Sequence, residues 1–456
     1  MSPPRIQPRQ VFIPQADTST RPSTAESKKP APRRTDTDTF EPAQKKAPVA
    51  LAGGTPASAQ EPSPGTGDVA AGAAAAGAAA AAGVEGAAAT AAVAGVHGID
   101  PKVLDTQEKL STARQKLGEY KLSGGKDEST LKQLENEVAE LEKQEEVQFK
   151  NPDLKDDVEK AQFVVLEKRM GELEKQYGKH KAATLARQTY YNSDLWNLAG
   201  GSAKASDDQV LALGLPHTPG QKNSDVAVGG YAGQMRTPDG QPVDMGHVLC
   251  GMDWQLNKDR VPKTLSVDDL AKAVGKEKLG DIIKSLPGGE PDIPNPFTKG
   301  FVTLTGDIGS AVAARYNGTS ADDAIKNESD YDWNGDLDGL NLAKRLADNP
   351  NQSITDAMKS YYGSGEYKNR VDEYATHGGF VKRDGNGQPI KDKNGHYELD
   401  TKAIANAGVV TGILLSKGGI ADDVLKEGLN PFSDEDKAKE VAEAFERWLH
   451  RAQDAS

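Results

Sequence analysis

The sequence predicts a mainly α-helical protein with a disordered N-terminal tail, a helical hairpin or three-helix segment, and a mostly helical globular domain with β-hairpin insertions. Three observations predict it. Apolar residues recur at helical spacing over most of the chain after Pro101. Extended runs flanked by Asp-Gly and Asn-Gly pairs are confined to two short stretches. Residues 1–68, rich in Pro, Ser, Thr and basic side chains, show almost no apolar periodicity.

The elements follow in chain order. Residues 1–68 have too little apolar surface to offset the entropy of ordering and are expected to be disordered. Residues 69–98 contain the run VAAGAAAAGAAAAAGVEGAAATAAVAGV over 69–96. Its length would span a bilayer, but Ala and Gly gain little on transfer and Glu85 interrupts it, so it reads as a flexible linker, with membrane contact through 69–96 as the alternative. Between 99 and 189, Val103, Leu110, Leu117 and Tyr120 recur at near-heptad spacing. A Ser123-Gly124-Gly125 turn breaks the pattern, and Leu131, Leu134, Val138 and Leu141 resume it, as in an antiparallel hairpin. A third long helix is expected from about Asp153 to Tyr190, with Val158, Val165, Leu166, Leu173 and Tyr177 on or near one face. Glu and Lys at mutual i,i+4 spacing mark the solvated faces.

Residues 190–456 hold all four tryptophans and are expected to form the main globular domain. Ser266 opens one capped helix and Ser433 another, the latter with an apolar face of Val441, Phe445, Trp448 and Leu449. AIANAGVVTGILL, residues 403–415, is apolar nearly all round and reads as a buried central helix. Hairpins are expected at 235–243 and 380–399.

Composition bounds the function. Of 456 residues 36% are hydrophobic and 5% aromatic, so the globular part is smaller than the chain. The formal charge of −13, with no fold-sized basic region, argues against a nucleic-acid partner. The single cysteine, Cys250, excludes internal disulfides and reads as a small buried hydrophobe. The start, MSPPRIQPRQVFIPQ, lacks the apolar core of a cleavable signal peptide, which leaves secretion by a non-classical route or a cytoplasmic location.

Chemistry concentrates where an Asp beside a Gly precedes a helical run. VDMGHVLCGMDWQLN, LTGDIGSAVAARY and WNGDLDGLNLAKRL share this grammar, and Asp244, Asp307 and Asp338 read singly as N-caps. His247 lies three residues after Asp244, close enough along a helix for Asp244 to hold the imidazole, or for the histidine to be merely satisfied by its cap. If the helix starts converge, His247, Asp244, Asp307 and Asp336, with Asp338 beside them, surround one cleft. That set suits either a hard metal with water as nucleophile or a carboxylate pair for glycoside hydrolysis. The chain lacks G-x-S-x-G, H-E-x-x-H and a P-loop.

In DYDWNGDLDGLN, residues 330–341, acidic and amide side chains alternate around Gly335, and the stretch resembles the EF-hand and dockerin calcium loop. The resemblance implies side-chain ligation by Asp330, Asp332, Asn334 and Asp338 and a carbonyl ligand from Asp336. Asn341 stands where the family carries its last carboxylate, which implies weak Ca2+ binding.

The layout points to an exported bacterial-type effector with a C-terminal hydrolase-like domain acting on a polysaccharide such as cell-wall glycan. The alternative is a non-enzymatic structural or adaptor protein that binds a protein partner through a calcium-stabilised helical domain. Convergence of His247, Asp307 and Asp336 within about 8 Å in an open cleft separates the two readings.

Overall fold

The structure, a computed structural model, describes residues 97–220, 229–275, 290–298, 302–415 and 435–455, with positions 95, 277, 280, 281 and 284. The expected tail, most of the expected linker and the expected cap Ser433 lie outside the described residues. The described part is mainly helical, as the periodicity requires.

Helices α1 (Pro101–Leu122) and α2 (Glu128–Lys150) form the expected hairpin, each started by an aspartate, Asp100 and Asp127, whose carboxylate accepts a backbone N–H of the first turn. The expected third helix is two, α3 (Lys155–Tyr177) and α4 (Lys179–Tyr190), broken at Gly178. There φ is +79°, a conformation glycine alone adopts at no steric cost. The apolar spacing runs on through the break, so pattern alone did not mark it. Short helices α5 (Asp194–Ala199) and α6 (Asp207–Leu213) follow.

The hairpin expected at 235–243 is β1 (Gln234–Arg236) antiparallel to β2 (Pro242–Asp244), with Gln234 opposite Asp244, and β2 feeds directly into α7 (Met245–Leu256). A second ribbon, β3 (Thr264–Ser266) with α8 (Val267–Ala273) and then β4 (Asp292–Pro294), was not anticipated. Ser266 does cap α8, accepting from Asp269 N. The chain continues through α9 (Val302–Tyr316), α10 (Ala321–Asn327), α11 (Asp330–Asp348), α12 (Ile354–Gly363) and α13 (Arg370–His377). Residues 380–399 make tandem turns joined by single antiparallel bridges, such as Lys391 with Tyr397, instead of continuous strands. α14 (Thr401–Leu415) and α15 (Glu435–Asp454) complete the order. No helix among the described residues is long and apolar enough to cross a membrane.

Two hydrophobic cores meet along α11. The first gathers α3, α4 and α7 with Leu342, Ala343 and Leu346 of α11. The second gathers α9, α14 and α15 with Trp333 and Leu337 of α11. The first core includes residues from Phe163 to Leu414, so packing runs without interruption across residue 190. α14 is buried on most sides, as its composition demands, against α9 and α15. A polar residue on α11 between these two apolar faces must therefore lie at the seam, and that is where the acidic side chains gather.

Candidate functional site

Three helices supply the site. On α7, Asp244 is the N-cap: its Oδ1 accepts from Gly246 N at 2.7 Å and His247 N at 3.3 Å. His247 is thereby fixed in the first turn, with its side chain 7% exposed. The imidazole does not hydrogen-bond to the Asp244 carboxylate. Its Nδ1 lies 3.1 Å from Asp336 Oδ1, 3.3 Å from the Asp332 carbonyl oxygen and 3.5 Å from Asp307 Oδ2. Asp336, not Asp244, is the carboxylate that orients the ring.

Asp307 and Asp338 are not caps. α9 begins at Val302, which places Asp307 inside the helix. α11 begins at Asp330, capped by Ser329, whose hydroxyl accepts from Asp332 N while the Asp332 carboxylate accepts from Ser329 N, a reciprocal capping box. The calcium-loop reading of 330–341 is corrected by the same fact, because a continuous helix cannot wrap its side chains around one ion as a loop does. Gly335, which the loop reading placed in a turn, and Gly339 instead allow α11 to approach α7. A Cβ on Gly335 would stand 2.5 Å from Asp244 O and 2.9 Å from His247 Cβ, and one on Gly339 would stand 3.0 Å from Val248 Cα.

The helix also separates the five residues assigned to the loop. Asp330 is exposed. Asn334 donates to Pro242 O at 2.9 Å. Asp338 turns to the other side, accepting from Arg370 Nε at 2.8 Å, Arg370 Nη2 at 3.0 Å, Tyr361 at 2.7 Å and Tyr362 at 3.2 Å. Asp332 and Asp336 remain, and they face α7.

Two overlapping sets result. One ligand atom from each of His247, Asp307 and Asp336, and one from each of Asp244, His247 and Asp332, lie within 4.8 Å of one another. These are donor sets that fit a divalent cation. Oδ2 of Asp336 and Oδ2 of Asp307 are buried without a hydrogen-bond partner. Asp336 is fully buried and the Asp307 side chain is 16% exposed, so the expected convergence is present, in a centre largely enclosed by the described residues.

Electrostatics follow from crowding. Burial, together with the nearby Asp336 charge, holds the Asp307 carboxyl well above its ordinary range. Burial, opposed by His247 and reinforced by Asp332, raises Asp244 to about 6. Burial alone would depress His247, but Asp307, Asp244 and Asp336 together hold it well above the usual imidazole value. Sequence reasoning missed Glu328, which burial and then Asp332 raise to about 7. Its position immediately before the Ser329 cap was the available signal. Cys250, on the same helix as His247, is fully buried, with its thiol pushed upward chiefly by burial, as expected of a structural cysteine.

The helices before residue 190 also reach the site. Glu159 of α3, 2% exposed, accepts from Tyr331 Oη at 2.8 Å and pairs with Arg236 Nε at 2.8 Å. Arg236 stands on β1, whose partner strand ends at Asp244, and Tyr331 precedes Asp332. One buried carboxylate thus ties both walls of the site together.

Comparison with known proteins adds one finding. A family model described as "YkzU uncharacterised protein" matches residues 301–455, about a third of the chain. The matched stretch contains Asp307, Glu328, Asp332 and Asp336, whereas Asp244 and His247 lie outside it. No curated protein and no solved structure matches the chain.

Proposed function

We propose that the centre around His247 holds a divalent cation and that the chain uses it as a metal-assisted hydrolase. The observation that supports this reading is the pair of buried carboxylate oxygens, Asp307 Oδ2 and Asp336 Oδ2, left without hydrogen bonds beside an imidazole nitrogen. A buried unsatisfied acceptor costs about 1–3 kcal/mol, and a bound ion is a direct way to recover it. Oxygen-rich ligands favour a hard cation of the Ca2+, Mg2+ or Mn2+ type. Asp307, the most accessible of the three, is where water and substrate would enter. The chemistry a bound cation supplies is the lowered pKa of a ligated water.

A metal-free carboxylate pair fits less well. One oxygen of Asp307 and one of Asp336 lie within 4.8 Å of one another, closer than the roughly 5–5.5 Å of a retaining glycosidase and well inside the roughly 6.5–9.5 Å that an inverting one needs for its water. The substrate class we propose remains a polysaccharide such as cell-wall glycan, delivered to by an exported effector. A second reading, a non-enzymatic adaptor stabilised by the ion, is favoured by the near-complete burial of His247 and Asp336.

The test takes the full chain, freed of metal by chelator, through thermal unfolding with and without millimolar Ca2+, Mg2+ or Mn2+, and through glycan hydrolysis under the same conditions. The proposal expects a rise in melting temperature of several degrees and cation-dependent hydrolysis lost in His247→Ala. A melting response without hydrolysis leaves the adaptor reading. No melting response with any cation overturns the cation site.

A further inference from the structure

We infer that the centre is binuclear: the set His247, Asp307 and Asp336 holds one hard divalent cation, and Asp244 with Asp332 holds a second beside it. The inference rests on the cation reading above and extends it to a second ion.

Its first support is the pairing of two donor sets about one imidazole. The atoms of each lie within 4.8 Å of one another, and His247 belongs to both. Two sets that share a member are necessarily adjacent, as in two-cation sites whose ions stand about 3.5–4 Å apart. Its second support is the ratio of donors to counter-charge. Five carboxyl groups, from Asp244, Asp307, Glu328, Asp332 and Asp336, converge here. Among the described residues no Arg or Lys makes an ion pair with any of them, and the imidazole is their cationic partner. One divalent ion with one histidine leaves that many acidic groups short of positive charge, whereas two come close to balancing them.

Unused acceptors mark both halves. In the first, Asp336 is 1% exposed and its Oδ2 has no partner. In the second, Asp244 is 7% exposed and both of its hydrogen bonds among the described residues fall on Oδ1, leaving Oδ2 free of them. The arrangement also separates tasks. The first ion sits beside the partly exposed Asp307 and is placed to activate water, while the second sits against the cap of α7 and is placed to hold α7 and α11 in register.

The experiment counts Mn2+ bound by the metal-free full-length chain, using the loss of the free-ion electron paramagnetic resonance signal, and then records the spectrum of the loaded protein. Two equivalents with a magnetically coupled spectrum are expected, and Asp244→Asn, which keeps the capping oxygen, should bind one equivalent and lose the coupling. Asp332→Asn should behave the same way and serves if the first variant misfolds by circular dichroism. One equivalent in the wild type overturns the second ion and leaves the cation site standing. Two uncoupled equivalents place the second ion elsewhere and also overturn the inference. No binding overturns both readings.

Discussion

Helix α11 carries two kinds of buried carboxylate, and α7 carries one of the satisfied kind. Asp253 on α7 accepts from Thr184 at 2.7 Å, Arg187 Nε at 2.8 Å, Asn257 at 2.8 Å and Arg260 at 3.1 Å. Asp338 on α11 is gripped by Arg370, Tyr361 and Tyr362. In both, a guanidinium supplies charge and further polar groups occupy the remaining lone pairs. Two residues before Asp338, Asp336 has one imidazole to share and an oxygen with no partner. The same helix, α11, therefore satisfies one carboxylate fully and leaves the other incomplete. This fold can supply arginine where a buried acid is structural, so the lack of an arginine or lysine partner around His247 among the described residues is a feature of the site and not a general tolerance of buried charge.

The largest expected effect lies on the satisfied side. Asp253→Ala strands Arg187, which is fully buried, without its carboxylate, and should cost about 3–5 kcal/mol in denaturant unfolding. A loss under 1 kcal/mol would erase the contrast between the two regions. Next is Gly335→Ala, whose methyl would meet the Asp244 carbonyl. It should cost about 1–3 kcal/mol and abolish the response to cations, because α7 and α11 must part. Retained cation response in a folded Gly335→Ala variant would mean the site does not depend on this close approach.

The third expectation concerns pH in chelator. Glu328 and Asp244 are raised in the folded chain to about 7 and about 6, above their usual 4.5 and 3.8. A raised carboxyl favours the folded state while protonated. Its contribution is complete below about pH 4 and is lost as pH rises through 6 to 7, on the order of 2 kcal/mol for the two groups together. Unfolding midpoints from pH 4 to 8 should fall on this account in chelator and flatten when a divalent cation replaces the protons. Smallest, and opposite in sign to the first, is Asp336→Asn. Removing one charge from a crowded set should leave stability in chelator unchanged or raise it by about 1 kcal/mol, while eliminating the cation response. A large destabilisation would place Asp336 with Asp253 and Asp338 as a structural acid.

Much of this was legible in the sequence because it is local. The α1–α2 hairpin, the cap at Ser266, the β1–β2 turn and the buried α14 each follow from spacing within a few residues. The convergence of His247, Asp307 and Asp336 was also legible as a condition, since each sits in an Asp-Gly context near a helix start. What failed was the meaning of glycine. Gly335 reads as a loop residue because an isolated helix is weakened by it, yet here it and Gly339 are demanded by α7, which contacts them from about 90 residues away in sequence. That reading fixed the wrong start for α11, and with it the cap at Asp338 and the calcium loop. The pairing of Asp338 with Arg370 and of Asp253 with Arg187 depends on tertiary contact that no local pattern encodes.

The triangle of Glu159, Arg236 and Tyr331 bears on how the chain can be divided. Composition invites a cut near residue 190, where the tryptophans and turn signals begin. Such a cut removes Glu159 and deprives the Arg236 guanidinium and the Tyr331 hydroxyl of a shared acceptor. The β1–β2 ribbon and the first turn of α11 would then drift independently, carrying Asp244 and Asp332 with them. A shortened protein from 190 onward could keep most of its helices and yet be silent in every assay, whereas one starting before Pro101 retains the clasp that holds the two walls at their working distance.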